Sequence, residues 1–129
     1  MSQSKFHARS AAFEIVKEYA LMLRFIGRGE DGESEMLTLQ RALDSQDDKP
    51  GIDGVCLERG VQQSVSFGGV QECTLTTDGV SIVLDAEGAM EMGGIRNWFF
   101  GLSFSGDQKK ELKDALTFIF RNCDCFEER

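Results

Sequence analysis

The pattern in this sequence that comes closest to a chemical motif is residues 27–32 (GRGEDG), a literal G-x-G-x-x-G after a predicted strand. A phosphate loop of this kind must open a helix, because the helix N-terminus meets the phosphate. Here Glu33 and Glu35 add further negative charge, and Leu37 and Leu39 alternate with polar residues as in a strand. The pattern therefore predicts a hairpin loop rather than a nucleotide site.

The other residue types that could catalyse a reaction or bind a metal do not form a recognisable set. His7 is the single histidine, so a Ser-His-Asp or Cys-His arrangement would depend on one residue without an identifiable orienting partner. A tetrahedral zinc site needs four ligands, and Cys123 and Cys125 supply two. The acids in residues 44–53 lack EF-hand spacing. We therefore expect no catalytic residues, no metal, no cofactor and no enzymatic activity.

Negative charge is concentrated in one part of the chain. Residues 30–53 contain eight acids and two bases (8 − 2 = 6), so they carry −6 of the total net charge of −8. Such a cluster can speed the association of a basic partner by about 10- to 1000-fold, although composition alone favours a merely soluble surface. The acids are Glu30, Asp31, Glu33, Glu35, Asp44, Asp47, Asp48 and Asp53.

Length and composition limit the class of protein. The 129 residues, 41% of them hydrophobic, suffice for one domain, which we place at 1–129. An acidic chain is repelled by nucleic acids and by anionic membranes. The sequence contains neither an export signal nor an apolar run long enough to span a bilayer. We expect a cytoplasmic protein whose four cysteines, Cys56, Cys73, Cys123 and Cys125, are free thiols.

The elements that would position these residues belong to an α+β fold. A helical stripe at residues 112–120 predicts a C-terminal amphipathic helix, which Ser105 and Gln108 begin with capping-box spacing. Large apolar residues alternate from Trp98 to Phe104, and Asp78-Gly79 marks a hairpin between two further strands. We expect a mostly antiparallel sheet of about six to seven strands, with that helix packed on one face.

Three regions of the chain are harder to assign. Residues 6–15 and 19–26 favour two strands, although Phe13, Val16, Ala20 and Leu23 also fit one helical face. A helical turn is expected between residues 85 and 94, as a connector closed by two glycines. Residues 121–129 have two alternatives, an ordered end or a frayed tail.

Three segments in the middle of the chain carry a family resemblance. Residues 37–43 (LTLQRAL), 51–58 (GIDGVCLE) and 66–70 (SFGGV) resemble, in order and spacing, the Immunity protein 10 family of bacterial polymorphic-toxin systems. The similarity continues through the hairpin and the C-terminal helix and spans about residues 19–120. It implies a protein that neutralises a toxin domain encoded next to it by occluding the toxin's active or binding surface.

An inhibitor of this kind needs a rigid scaffold and a complementary surface rather than catalytic groups. We expect the eight acids, with Gln40 and Arg41 from the family-like segments, to contact a basic toxin; for Gln40 and Arg41, local bracing is an equal alternative. Gly54, Gly68 and Gly69 are expected to permit a positive φ or a close approach between strands. The chain would be a monomer or a weak homodimer.

A different class of protein also fits the composition. A secretion chaperone of the type III kind is small, acidic and enzymatically inert, and it also ends in an amphipathic helix. It would begin with a helix, here Phe13 to Leu23, and dimerise. An enzyme is the third possibility, and it would need a pocket where several acids converge with perturbed ionisation.

Overall fold

A computed structural model describes residues 5–44, 54–60 and 64–129. This part of the chain contains ten strands and two helices. The strands are β1 (Lys5–Ala8), β2 (Ala11–Lys17), β3 (Ala20–Arg28), β4 (Ser34–Ala42), β5 (Cys56–Arg59), β6 (Ser64–Phe67), β7 (Val70–Leu75), β8 (Gly79–Leu84), β9 (Asn97–Gly101) and β10 (Phe126–Glu128). The helices are α1 (Ala86–Glu91) and α2 (Gly106–Ile119).

The strands form two five-stranded sheets. The first, which we call the meander sheet, has the order β2-β3-β4-β5-β6, and all its neighbours are antiparallel. The second, the mixed sheet, has the order β1-β9-β8-β7-β10 and is antiparallel in its middle. Its edge strands β1 and β10 join parallel to their neighbours. The strands β1 and β10 therefore form the two edges of the same sheet.

One apolar core joins the two sheets. Leu23 and Phe25 of β3 are buried, as are Trp98 and Phe100 of β9. The ring of Phe25 stacks on that of Phe100 with centroids 5.1 Å apart. Burying large aromatic groups in this way dominates the energetics of small cores, so this contact ties the sheets together.

Helix α2 begins where the sequence predicts it to begin. The Ser105 hydroxyl accepts from the Gln108 backbone N–H at 3.2 Å, and the Gln108 side chain accepts from the Ser105 N–H at 2.9 Å. This capping box satisfies two backbone donors at the helix start. The buried face of α2 packs against β3 and β4. That face consists of Leu112, Ala115, Leu116 and Ile119.

The α+β class and the C-terminal helix are confirmed, but the strands form two five-stranded sheets rather than one sheet of six to seven strands. The strand expected over residues 6–15 is divided at Arg9 and Ser10, because β1 joins the mixed sheet and β2 the meander sheet. The short strands β6 and β10 were not predicted, and β10 gives residues 126–128 a place in a sheet. The expected helical turn is α1, and residues 11–28 form β2 and β3 rather than a helix.

Candidate functional site

Three exposed carboxylates lie at the tip of the β3–β4 hairpin, which we call the acidic tip (residues 29–33). Backbone hydrogen bonds close its turn, from Gly29 N to Glu33 O at 2.8 Å and from Gly32 N to Gly29 O at 3.0 Å. The Asp31 carboxylate accepts from the Glu33 N–H at 3.0 Å. Glu30, Asp31 and Glu33 are all exposed. The G-x-G-x-x-G pattern is thus a hairpin, as predicted, and it presents negative charge to solvent.

Glu35 differs from the three carboxylates of the acidic tip because it forms an ion pair with Arg59. Its carboxylate accepts two hydrogen bonds from the Arg59 guanidinium, at 2.9 and 2.7 Å, and both side chains are partly buried. The hydrogen bond to Glu35 raises the pKa of Arg59, although burial opposes it. Arg59 also donates to the Met92 carbonyl at 3.0 Å and lies 5.7 Å from the Trp98 ring centroid. The pair braces the meander sheet against the core, and it neutralises one of the predicted acids.

Arg41 lies inside the molecule. It is 1% exposed, and its guanidinium donates to the carbonyls of Ile119 at 3.1 Å and Arg121 at 3.2 Å. Arg121 in turn donates to the Ala42 carbonyl at 2.9 Å. A cation at the carbonyl end of a helix is favourable because it meets the negative end of the helix dipole. These contacts give Arg41 a bracing position between β4 and the end of α2.

Gln40 faces the opposite side of β4 and is half-buried. It belongs to the outer face of the meander sheet, which we define as the side away from the core. On this face one cross-strand row passes through all five strands, since each member pairs with the next. The row is Val16, Met22, Gln40, Cys56 and Phe67.

Apolar side chains on the outer face reach solvent. Phe67 is 84% exposed and Ile26 is 44% exposed. Ile26 pairs with Met36 at the end of the hairpin that carries the acidic tip. An exposed apolar area beside charged residues is typical of a protein-binding surface. This area was not predicted from the sequence, because it depends on which face of the sheet is left uncovered.

A cleft of about 630 Å³ lies between the acidic tip and β1. Lys5 and His7 line it on the β1 side, with Glu30 and Asp31 on the other. The ring of His7 lies 4.8 Å from that of Phe99. Within residues 5–44, 54–60 and 64–129, no three His, Cys, Asp or Glu side chains are grouped to hold a metal ion. The cleft therefore combines charges of both signs without a metal-ligand set.

The four cysteines are free thiols in the structure. Burial is the main cause that raises the pKa of Cys56, with Glu58 adding to the shift, and burial also raises the pKa of Cys73. A raised pKa keeps a thiol protonated and makes it a poor nucleophile. Neither group is suited to covalent chemistry.

The remaining predicted residues are only partly placed. Asp44 is exposed at the end of β4, and its backbone carbonyl accepts from Arg121 at 3.1 Å. Asp47, Asp48 and Asp53 lie outside the described residues. Gly68 and Gly69 have φ of 88° and 96°, which favours glycine, as predicted. A side chain at Gly69 would also meet the backbone of Gly88 in α1 at 2.9 Å.

Comparison with known proteins identifies a family whose model matches this chain. The family model named Immunity protein 10 matches residues 7–112. No curated protein and no solved structure matches the chain. In the part of the chain that the structure describes, no helix is long and apolar enough to cross a membrane.

Proposed function

The chain belongs to the Immunity protein 10 family, and from this premise we propose that it neutralises a cognate bacterial toxin by binding the toxin domain and occluding its active or binding surface. The match over residues 7–112 is the observation that carries the proposal. The toxin is a basic protein encoded next to this gene, and the two meet in the cytoplasm. The protein inhibits by occupancy and catalyses no reaction.

We place the contact at the acidic tip and the adjoining outer face of the meander sheet. Glu30, Asp31 and Glu33 supply exposed negative charge on a turn that backbone hydrogen bonds hold in one shape. Ile26 and Met36 supply apolar area next to the acidic tip, at the same end of the hairpin. Specific interfaces combine an apolar centre with a charged rim, and the charges mainly set the association rate. This arrangement suits a basic protein surface.

The secretion-chaperone alternative loses the feature that would have favoured it. That class predicts a helix over Phe13 to Leu23, and the segment instead forms β2, a turn and β3. Enzymatic function finds little support in the described side chains. The thiols of Cys56 and Cys73 have raised pKa values, and the acids of the acidic tip are exposed to solvent. We therefore retain inhibition by binding.

Growth of bacteria tests this function directly. The C-terminal domain of the neighbouring large gene is expressed alone, with this protein, and with an unrelated immunity protein of similar charge. We expect arrest in the first and third cultures and growth in the second. Purified together, the two proteins should co-elute in size-exclusion chromatography. Arrest that persists although this protein accumulates in folded form would refute the proposed function for this pair.

A further inference from the structure

Strand β2 is one of the two edge strands of the meander sheet. Glu18 N donates to Ala20 O at 3.1 Å. In this register, the backbone groups of the even-numbered residues of β2 form the hydrogen bonds to β3. In an antiparallel pair, successive residues direct their N–H and C=O groups to alternate sides. The backbone groups of Phe13, Ile15 and Lys17 therefore point away from β3. Among the described residues, no backbone hydrogen bond reaches these three from another segment.

A groove runs beside this edge, between β2 and α2. It consists of two adjoining hollows of about 360 Å³ and about 460 Å³, which share Ile15 and Glu111 in their walls. The first hollow includes Phe13 and the second includes Phe118. Since β2 has seven residues, the edge is about 24 Å long at the usual rise of a strand.

The charged side chains that line the groove are mainly acidic. Glu111 and Asp114 project from exposed positions on α2, and Lys17 is the cation among the side chains that line the two hollows. An extended segment with basic and apolar residues in alternation would satisfy all three features: the open backbone groups, the apolar floor and the acidic wall. A second copy of this chain fits less well, because each copy carries a net charge of −8 and like charges would face each other.

We propose that the β2 edge and its groove accept an extended, basic segment of the toxin, which adds as a sixth strand to the meander sheet. This inference rests on the proposed function and adds a second contact to the one proposed at the acidic tip. Main-chain hydrogen bonds to Phe13, Ile15 and Lys17 provide affinity, and alternate side chains enter the groove. Lysine or arginine side chains of the segment meet Glu111 and Asp114. The added strand also covers an edge that would otherwise remain open to non-specific pairing.

Amide hydrogen exchange, measured by NMR on the ¹⁵N-labelled chain, separates strand addition from other contacts. The probe is the C-terminal domain of the neighbouring gene, purified in complex with the labelled protein. We expect exchange at Phe13, Ile15 and Lys17 to slow by at least about 100-fold in the complex, as for amides that enter a stable ladder. Exchange at Glu14 and Val16, which already face β3, should change little. Unchanged exchange at the three odd-numbered amides in a formed complex would overturn the proposal.

Charge variants test the acidic wall. Glu111→Lys with Asp114→Lys should weaken binding to the same toxin domain by about tenfold or more in calorimetry. The matched control, Glu91→Lys with Asp124→Lys, changes net charge equally at exposed positions outside the groove and should stay within about twofold. Equal effects of the two pairs would contradict a local contact.

The outcomes separate this inference from the proposed function. If the toxin domain binds and growth is protected while the odd-numbered amides stay unprotected, strand addition is wrong and immunity stands. If those amides become protected at high concentration without toxin, a second copy occupies the edge and the proposal is overturned. If the wild-type protein neither binds nor protects, the function and the inference fail together.

Discussion

At the scale of single residues, burial separates charges that hold the fold from charges that can meet a partner. Glu35 and Arg41 lie in the acidic stretch of residues 30–53 that also contains the acidic tip. Glu35 was predicted to contact the toxin, whereas contact and local bracing were equal alternatives for Arg41. The structure gives each of them internal partners, Arg41 at the end of α2 and Glu35 on Arg59. Glu30, Asp31 and Glu33 remain exposed to solvent. Site residues of an inhibitor therefore cannot be chosen by charge alone.

Replacing Arg41 by methionine tests its bracing position. Arg41→Met keeps much of the side-chain volume but leaves the carbonyls of Ile119 and Arg121 without these donors. We expect the free energy of unfolding to fall by about 2–4 kcal/mol, since each buried unsatisfied group costs about 1–3 kcal/mol. Urea unfolding measures this loss. Gln40→Met, at the neighbouring position on the outer face, is the control and should change stability by less than about 1 kcal/mol.

The toxin affinity of the same variants separates bracing from binding. Below its unfolding transition, Arg41→Met should bind the toxin domain as the wild type does, because its guanidinium is buried. A variant with normal stability and weakened binding would show that Arg41 acts at the interface.

At the scale of elements, helix α2 contributes four buried side chains to the core. Leu116 is fully buried on the face of α2 that packs against β3 and β4. Leu116→Ala should lower the free energy of unfolding by about 2–5 kcal/mol, the usual cost of a large-to-small change in a core. Lys110→Ala, at an exposed position of the same helix, should change it by less than about 0.5 kcal/mol. Similar unfolding midpoints for the two variants would reject this packing.

The same elements show which parts of the fold are local in origin. Periodicity and capping predict α2, the alternation around Leu23 predicts β3, and Asp78-Gly79 predicts the β7–β8 hairpin, because each signal is contained in a few neighbouring residues. The strands β6 and β10 have four and three residues and carry too little pattern to be detected. The parallel pairing of β10 with β7 also joins residues far apart in the chain, and no local signal encodes such a contact.

The candidate site divides in the same way. The acidic tip was predictable, since its glycines and acids are adjacent in sequence. The Glu35–Arg59 pair was not, because it depends on the β4–β5 register that sets Leu37 opposite Arg59. The uncovered outer face and the free edge at β2 also follow from strand order, which becomes visible only when the sheets are assembled.

At the scale of the whole molecule, net charge acts through its distribution. The chain carries −8, but the Glu35 carboxylate is paired, while the acidic tip projects its carboxylates from a closed turn. A local negative field of this kind orients a basic partner before contact, and salt screens it over about 8–10 Å at physiological ionic strength. The acidic tip should therefore affect the association rate more than the dissociation rate.

Charge reversal at the acidic tip provides the kinetic test. In Glu30→Lys with Glu33→Lys, Asp31 is retained because its carboxylate accepts from the backbone of the turn. We expect the association rate with the toxin domain to fall by about 10- to 100-fold at low salt in stopped-flow measurements, with a weaker dependence on ionic strength. Glu91→Lys with Asp124→Lys alters net charge by the same amount at exposed positions that are not part of the acidic tip. If that control slows association equally, total charge rather than the acidic tip governs the encounter; if neither pair slows it, the acidic tip lies outside the surface that the toxin meets first.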